Sequence, residues 1–414
     1  MPVNSGDTAW ILISSALVML MTPGVALFYG GMVRHKNVLS TIMMSFVCLV
    51  LVGLLWVLYG YSLSFGSDNG GFIGGLNFAG LMNVGQEPSS VYASTVPHLA
   101  FMIFQAMFAI ITVALITGAI VERVKFGALL IFSALWLTIV YCPVAHWVWG
   151  DGGWLSNLGV LDFAGGAVVH LNAGVSALAL VLLLGRRRGF PQQPMEPNNI
   201  PMVVLGAGLL WFGWFGWFGF NAGSALASDG LAASAFVATN TAAATAAFTW
   251  MIVSWLYRRP TVLGTVTGAI AGLATITPAA GFVTPLAGIP IGIVAAIACY
   301  YIMLWLKTKL GFDDSLDVFA VHGVGGILGM LATGIFASLA VNSAGADGLL
   351  LGNGMQFLKQ MTSIVAVGAF AFAATWLLGK LVDVTIGLRV GQKEETVGLD
   401  ISQHGERAYG GLLR

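Results

Sequence analysis

Two of the six histidines stand where the chain is otherwise apolar. His170 closes Asp162-Phe163-Ala164-Gly165-Gly166-Ala167-Val168-Val169-His170, which opens an apolar run reaching Leu184. His322 stands in Asp317-Val318-Phe319-Ala320-Val321-His322-Gly323, five residues after its aspartate. At helical rise, His170 lies about 12 Å from Asp162 and His322 about 7.5 Å from Asp317. Ionisable groups inside an apolar span are costly to desolvate, so each is a functional-site hypothesis. A neutral imidazole offers one donor and one acceptor, which suits holding a small polar species or passing a proton. One such histidine alone is equally well explained as a hydrogen bond between helices. Two at related positions point to a pore. No Cys, Glu or third His lies near either stretch, so no metal is expected.

The aspartates have a simpler reading. Each stands at an expected helix start, where a carboxylate caps free N–H groups and meets the positive dipole end. For Asp162 a second reading stands beside the first: on the approach to the span, its charge would help to hold a cation.

Aromatic residues gather near the same end. Phe101, Phe104 and Phe108 lie on one apolar run, and Trp147, Trp149 and Trp154 end another. A tripled Trp-Phe-Gly unit, residues 211–219, precedes Phe220-Asn221-Ala222-Gly223-Ser224. An interfacial belt accounts for most of these tryptophans. Phe104 and Phe108, four residues apart, share one helix face. Ring faces attract cations, and the Ser224 hydroxyl can accept a hydrogen bond. Ammonium can donate that bond and potassium of similar size cannot. His146 reads as packing or capping; His35, His98 and His404 fall at span ends or in the tail and carry no assigned chemistry.

These residues need a membrane-spanning scaffold. The chain is 58% hydrophobic and 8% charged with a mean hydropathy of +0.89, which excludes a water-soluble fold. Net charge is zero, so nucleic acid is not an expected partner. Cys48, Cys142 and Cys299 sit in apolar runs and read as small buried hydrophobes. The N-terminus lacks the basic region of a cleavable signal peptide, so the first run reads as a retained span. Runs of about 20 apolar residues predict eleven helices, near 8–30, 38–64, 98–121, 127–148, 163–184, 200–223, 231–256, 262–280, 286–306, 319–340 and 355–379. Sixteen of the 17 basic residues then fall on one face and only Lys359 on the other. The positive-inside rule makes that face cytoplasmic, with the N-terminus outside and the C-terminus inside.

The linker from Arg186 to Asn199, with Pro191, Pro194 and Pro197, divides ten of the spans into two sets of five. Five is odd, so the sets enter from opposite faces as an inverted repeat, with halves near 8–185 and 200–340. Spans five and ten are then equivalent and bring His170 and His322 together near mid-depth. Gly264, Gly268 and Gly272, and likewise Gly325 and Gly329, recur every four residues and let helices pack closely in lipid. Residues 1–386 form the membrane domain and 387–414 a cytoplasmic tail.

At this point the chain resembles the Amt/MEP/Rh ammonium transporter family, in its Amt branch. The matching stretches are Thr22 to Gly31, Asp162 to His170, Gly219 to Ser224, Asp317 to Gly323, and the tail from Gly387 through Asp400 to Glu406. The resemblance implies an all-α polytopic fold of eleven spans with five-plus-five inverted pseudo-symmetry, assembled as a homotrimer in the cell (plasma or inner) membrane. It assigns ammonium binding to Phe108, Trp149 and Ser224, with Phe104 beside them and Asp162 supporting the site. It makes Phe108 and Phe220 a stacked gate, and His170 and His322 the paired histidines of an apolar lumen that Trp217 also lines. The chain departs from the family where Trp-Phe-Gly occurs three times, since family members usually carry it once or twice. Three added helical residues turn the upstream half by about 300°, which leaves Trp214 and Trp211 as rivals to Trp217.

The implied activity is movement of ammonium as ammonia, with a separately relayed proton, and of methylammonium as an analogue. No cofactor is implied, and an enzyme is not expected. An ammonium sensor signalling through a cytosolic partner is the alternative reading. Only about 25 residues follow Arg389, too few for an added kinase or cyclase domain. The tail reads either as solvated chain or, by resemblance, as a packed element that couples subunits and receives a PII-type signal protein.

Overall fold

The computed structural model describes residues 2–211 and 216–410. Among the described residues, ten apolar segments are long enough to cross a membrane: Ser5–Met32, His35–Phe65, His98–Ile120, Phe126–Leu158, Gly166–Leu184, Ile200–Gly223, Gly230–Tyr257, Pro285–Leu310, Phe319–Phe336 and Gly354–Ile386. Val262–Ile276 is also apolar but has only 15 residues. Counted in chain order these are spans one to eleven, as the apolar runs predict. Span six is described over Ile200–Trp211 and Gly216–Gly223. The register of the tripled Trp-Phe-Gly unit therefore lies outside the described residues.

Side chains test the expected alternation of ends. Arg34, after span one, pairs with Glu122, after span three (2.8 Å). Arg187, after span five, pairs with Glu122 (3.1 Å) and with Asp313, after span nine (2.7 Å). Backbone bonds tie Lys125 to Leu388 and Val390 to Arg123, which brings in the chain after span eleven. Five segments that follow odd-numbered spans thus meet at one end, and most of the basic residues lie there. At the other end Asn4 bonds Thr95, Asp7 bonds Ser228, and Gln360 brackets Leu161.

The two halves repeat each other in detail. His170 lies in a π-helical turn, Gly166–Leu171, and His322 in another, Phe319–Gly323. Five residues before each histidine the backbone turns left-handed, at Gly165 (φ 111°) and at Asp317 (φ 62°). Eight residues before each is a buried aspartate that caps the span, Asp162 in one half and Asp314 in the other. This corrects the expectation that Asp317 caps span ten. Its position demands positive φ, which an aspartate tolerates better than most side chains. Its carboxylate turns instead to Lys307 (2.7 Å).

Small residues set the close approaches. A Cβ on Gly174 of span five would collide with the Gly323 backbone of span ten, and one on Gly326 would lie 2.6 Å from the Leu171 nitrogen. Gly268 and Gly272 pack against Trp250 and Ala242 of span seven, so that glycine series does join helices. The described part of the tail, up to residue 410, is not solvated chain but is docked through residues 395–400. Asn37 accepts a bond from the Leu399 N–H (2.8 Å), Asp400 from the Ser40 N–H (2.8 Å), and Lys36 donates to the Glu395 and Thr396 carbonyls.

Candidate pore and its two histidines

The site begins with a vestibule at the end opposite the basic cluster. A cavity of about 340 Å³ is lined by Phe108, Trp149, Asp162 and Ser224, together with Tyr92, Gln105 and Phe163. The Trp149 ring meets Phe108 edge-on at 5.7 Å, and its indole N–H donates to the Asp162 carbonyl (2.8 Å). The Ser224 hydroxyl donates to the Phe220 carbonyl (2.8 Å), which leaves its lone pairs for a further donor. Asp162 is buried and both carboxylate oxygens are engaged: Oδ1 accepts from the N–H of Gly165 and Gly166, and Oδ2 from those of Ala167 and Val168, at 2.6–3.2 Å. It therefore shapes the vestibule through the start of span five and through Trp149, while its charge stays at the rim.

Beneath the vestibule Phe108 stacks on Phe220 with centroids 4.1 Å apart and planes inclined by 23°. Phe104 backs Phe108 edge-on at 5.0 Å. Below this plug lies a narrow cavity walled by Val25, Phe28, Ile111, Leu115 and Ile270, with Trp217, Tyr29, His170 and His322 as its polar-bearing rings. The Nδ1 atoms of the two histidines face each other at 3.3 Å, with the rings nearly parallel at 5.2 Å. One Nδ1 must carry the hydrogen and the other accept it, so the neutral rings adopt opposite tautomers. The Nε2 of His170 is buried with no protein partner among the described residues. Trp217 stacks on His170 at 5.4 Å and donates to Thr277 Oγ1 (2.9 Å), which fixes the indole as a wall of the lumen.

The structure thus gathers Phe108, Trp149, Asp162 and Ser224 at the vestibule, with Phe104 buried behind Phe108, and Trp217, Phe220, His170 and His322 at and below the plug. Of the rivals to Trp217, Trp211 is not among the described residues that line this cavity, and Trp214 lies outside the described residues. His146 is structural, bonded to the Ser64 carbonyl (3.0 Å) and Asp68 (2.9 Å). Sequence reasoning missed Gln105 and Tyr92 in the vestibule, which carry no motif. It also missed Asp314, whose eight-residue spacing to His322 matches that of Asp162 to His170 and was the available signal.

The fold is that of a polytopic helical membrane protein, with an apolar cavity below stacked rings that carries two facing imidazoles. A family profile described as Ammonium Transporter Family matches residues 9–409, and the chain belongs to that family. An ammonium transporter of Bacillus subtilis is 52% identical over 98% of this chain and 99% of its own length. The ammonium transporter Amt1 of Archaeoglobus fulgidus is 52% identical over 98% of this chain and 100% of its own. The crystal structure of Mep2 from Candida albicans superposes with a TM-score of 0.89 at 39% identity, covering 98% of this chain and 91% of that one.

Proposed function

We propose that this chain carries ammonium across the cell membrane through the lumen beneath Phe108 and Phe220, admitting it from the vestibule side. The observation that carries the reading is the sequence of environments along one axis: aromatic faces and a hydroxyl, then a ring plug, then an apolar lumen whose polar centre is two neutral-capable imidazoles. A cation suits the first and pays several kcal/mol to enter the last, whereas ammonia enters it readily. Ammonium is held by cation–π contacts with Phe108 and Trp149 and by its hydrogen bond to Ser224. Asp162 holds Trp149 and the start of span five in place and keeps a negative charge at the rim. Deprotonation precedes passage of the Phe108–Phe220 gate, with Phe104 supporting it. His170, Trp217 and His322 then guide ammonia, and the hydrogen shared between the imidazoles offers the proton a parallel path.

The basic end is cytoplasmic on this reading, in accord with the positive-inside rule. The homotrimer and a PII-type signal protein at the cytoplasmic face rest on the family resemblance. Cross-linking in native membranes tests the first, and a pull-down under changing ATP, ADP and 2-oxoglutarate the second. The test of the function is ammonium-evoked current and methylammonium uptake in liposomes. His170→Ala and His322→Ala are each expected to change rate or selectivity by about 10²-fold. Wild-type rate and selectivity in both variants would remove the histidine pair from the pathway.

A further inference from the structure

Asp162 and Asp314 hold the same place in the two halves but are bonded differently. Each oxygen of Asp162 accepts two backbone N–H groups. Asp314 is 4% exposed; its Oδ2 accepts from the Phe319 N–H (2.7 Å), while Oδ1 is buried without a hydrogen-bond partner among the described residues. A bare carboxylate oxygen in such a place loses its solvation and gains nothing in return. Carrying a proton removes that penalty and leaves the cap intact, because Oδ2 still accepts.

The groups facing Asp314 pull in both directions, and burial and Asp317 outweigh the rest. Asp317 adds a like charge from the next turn, and the nearest lysine, Lys307, bonds Asp317. Arg123, from between spans three and four, directs its donors to Ser315, Ala119 and the Asp313 carbonyl, while its charge favours the ionised form of Asp314. Tyr29, from span one, lines the lumen with His322 and lies within the field of Asp314. Burial and the charge of Asp317 push Asp314 up to about 6, against the pull of the Phe319 and Val318 N–H groups and Lys307.

We propose that Asp314 is a proton-carrying carboxyl at the basic end of the pore, taking up the proton that leaves the imidazole pair and releasing it to solvent beside Lys307 and Asp317. The proposal rests on the ammonium-conducting reading above. In the cycle an N–H bond of ammonium breaks and ammonia passes on neutral. The proton forms an O–H bond at Asp314 Oδ1 by way of the histidines and the Tyr29 end of the lumen. That O–H bond then breaks as water on the basic side accepts the proton. No electrons are exchanged and no further reactant is needed.

The experiment uses the full chain in proteoliposomes challenged with ammonium chloride. It compares wild type with Asp314→Asn and Asp314→Ser, both of which keep an acceptor for the span-ten cap. Ammonium-evoked current is measured at pH 7 on a supported membrane, and ammonia permeability at alkaline pH by stopped-flow dye response. We expect the current to fall at least about tenfold in a folded variant, with ammonia permeability within about twofold of wild type. Should the asparagine variant fail to fold, the serine variant carries the test. An unchanged current, or current and permeability falling in step, overturns the proposal. Wild type that passes ammonia without current overturns it too while leaving the conduction reading standing; wild type that passes neither removes both.

Discussion

At Asp162 one carboxylate accepts four backbone N–H groups from consecutive residues, Gly165 to Val168. The left-handed turn at Gly165 makes this possible, because it aims the first turn of span five back at the side chain. The site's aromatic wall depends on the same residue, since its carbonyl holds the Trp149 indole. Removing the side chain leaves four donors unpaired in a buried place. Asp162→Ala is therefore expected to destabilise by about 3–5 kcal/mol, the range for losing one partner of a buried charged interaction. Asp162→Asn keeps one acceptor oxygen but turns an NH2 group toward N–H donors, and should fall between alanine and wild type. Thermal unfolding in detergent, followed by tryptophan fluorescence, checks the order. Equal midpoints for wild type and Asp162→Asn would mean that the charge does not matter to the cap.

At the scale of elements, the imidazoles meet because spans five and ten cross on backbone. Gly174 faces Gly323 with no room for a Cβ, and Gly326 faces Leu171 nearly as closely, a Cβ there lying 2.6 Å from the Leu171 nitrogen. Gly174→Ala forces the crossing apart. It should cost about 1–3 kcal/mol by overpacking, and it should widen the 3.3 Å Nδ1–Nδ1 contact beyond a hydrogen bond. Ammonium transport is then expected to fall more steeply in Gly174→Ala than in Gly264→Ala, a glycine with looser surroundings. Parallel uptake assays on the two variants check this. The periodic glycines, the two histidines and the five-plus-five division are legible in the sequence because they follow from hydropathy, charge and spacing. The π-helical turns are not, since a single extra residue in a turn leaves the apolar pattern intact. For the same reason adjacency suggests Asp317 as the cap of span ten. The backbone instead places Asp317 where the other half has Gly165 and gives the capping task to Asp314. A packed tail followed from the family resemblance, but its docking residues did not, because Asn37 and Asp400 belong to no periodic pattern.

Across the whole molecule, the basic end is held by buried charge. Glu122 accepts from Arg34 and Arg187, Asp313 accepts from Arg187, and Arg389, paired with Glu395, joins the tail to the Leu184 and Arg186 carbonyls. Burial alone would raise Glu122, but the charges of Arg187 and Arg34 and the bonds from Arg34 hold it below its ordinary 4.5. Asp313 is likewise held below 3.8 by Arg187 and Arg123 despite its burial. A carboxyl whose folded pKa is depressed contributes stability that is present above its unfolded pKa and lost as pH falls through the folded one. Asp314 has the opposite sign. Its folded pKa of about 6 lies above the unfolded 3.8, so its contribution is fully present below 3.8 and fades as pH rises through 6. Asp400, also raised by burial, acts in the same sense. Stability should therefore increase as pH falls from 7 towards 5, pass through a maximum, and decline below about 4 as Glu122 and Asp313 take up protons. Asp314→Asn should flatten the limb between pH 7 and 5 and leave the acid limb in place. Glu122→Gln should lower stability at neutral pH, because Arg187 and Arg34 lose a buried counter-charge, and should make the acid limb shallower. Thermal midpoints of the three proteins between pH 3 and 8 at constant ionic strength measure both limbs. If Asp314→Asn kept the wild-type slope between pH 7 and 5, protonation of that carboxyl would not be part of how this end of the molecule is held.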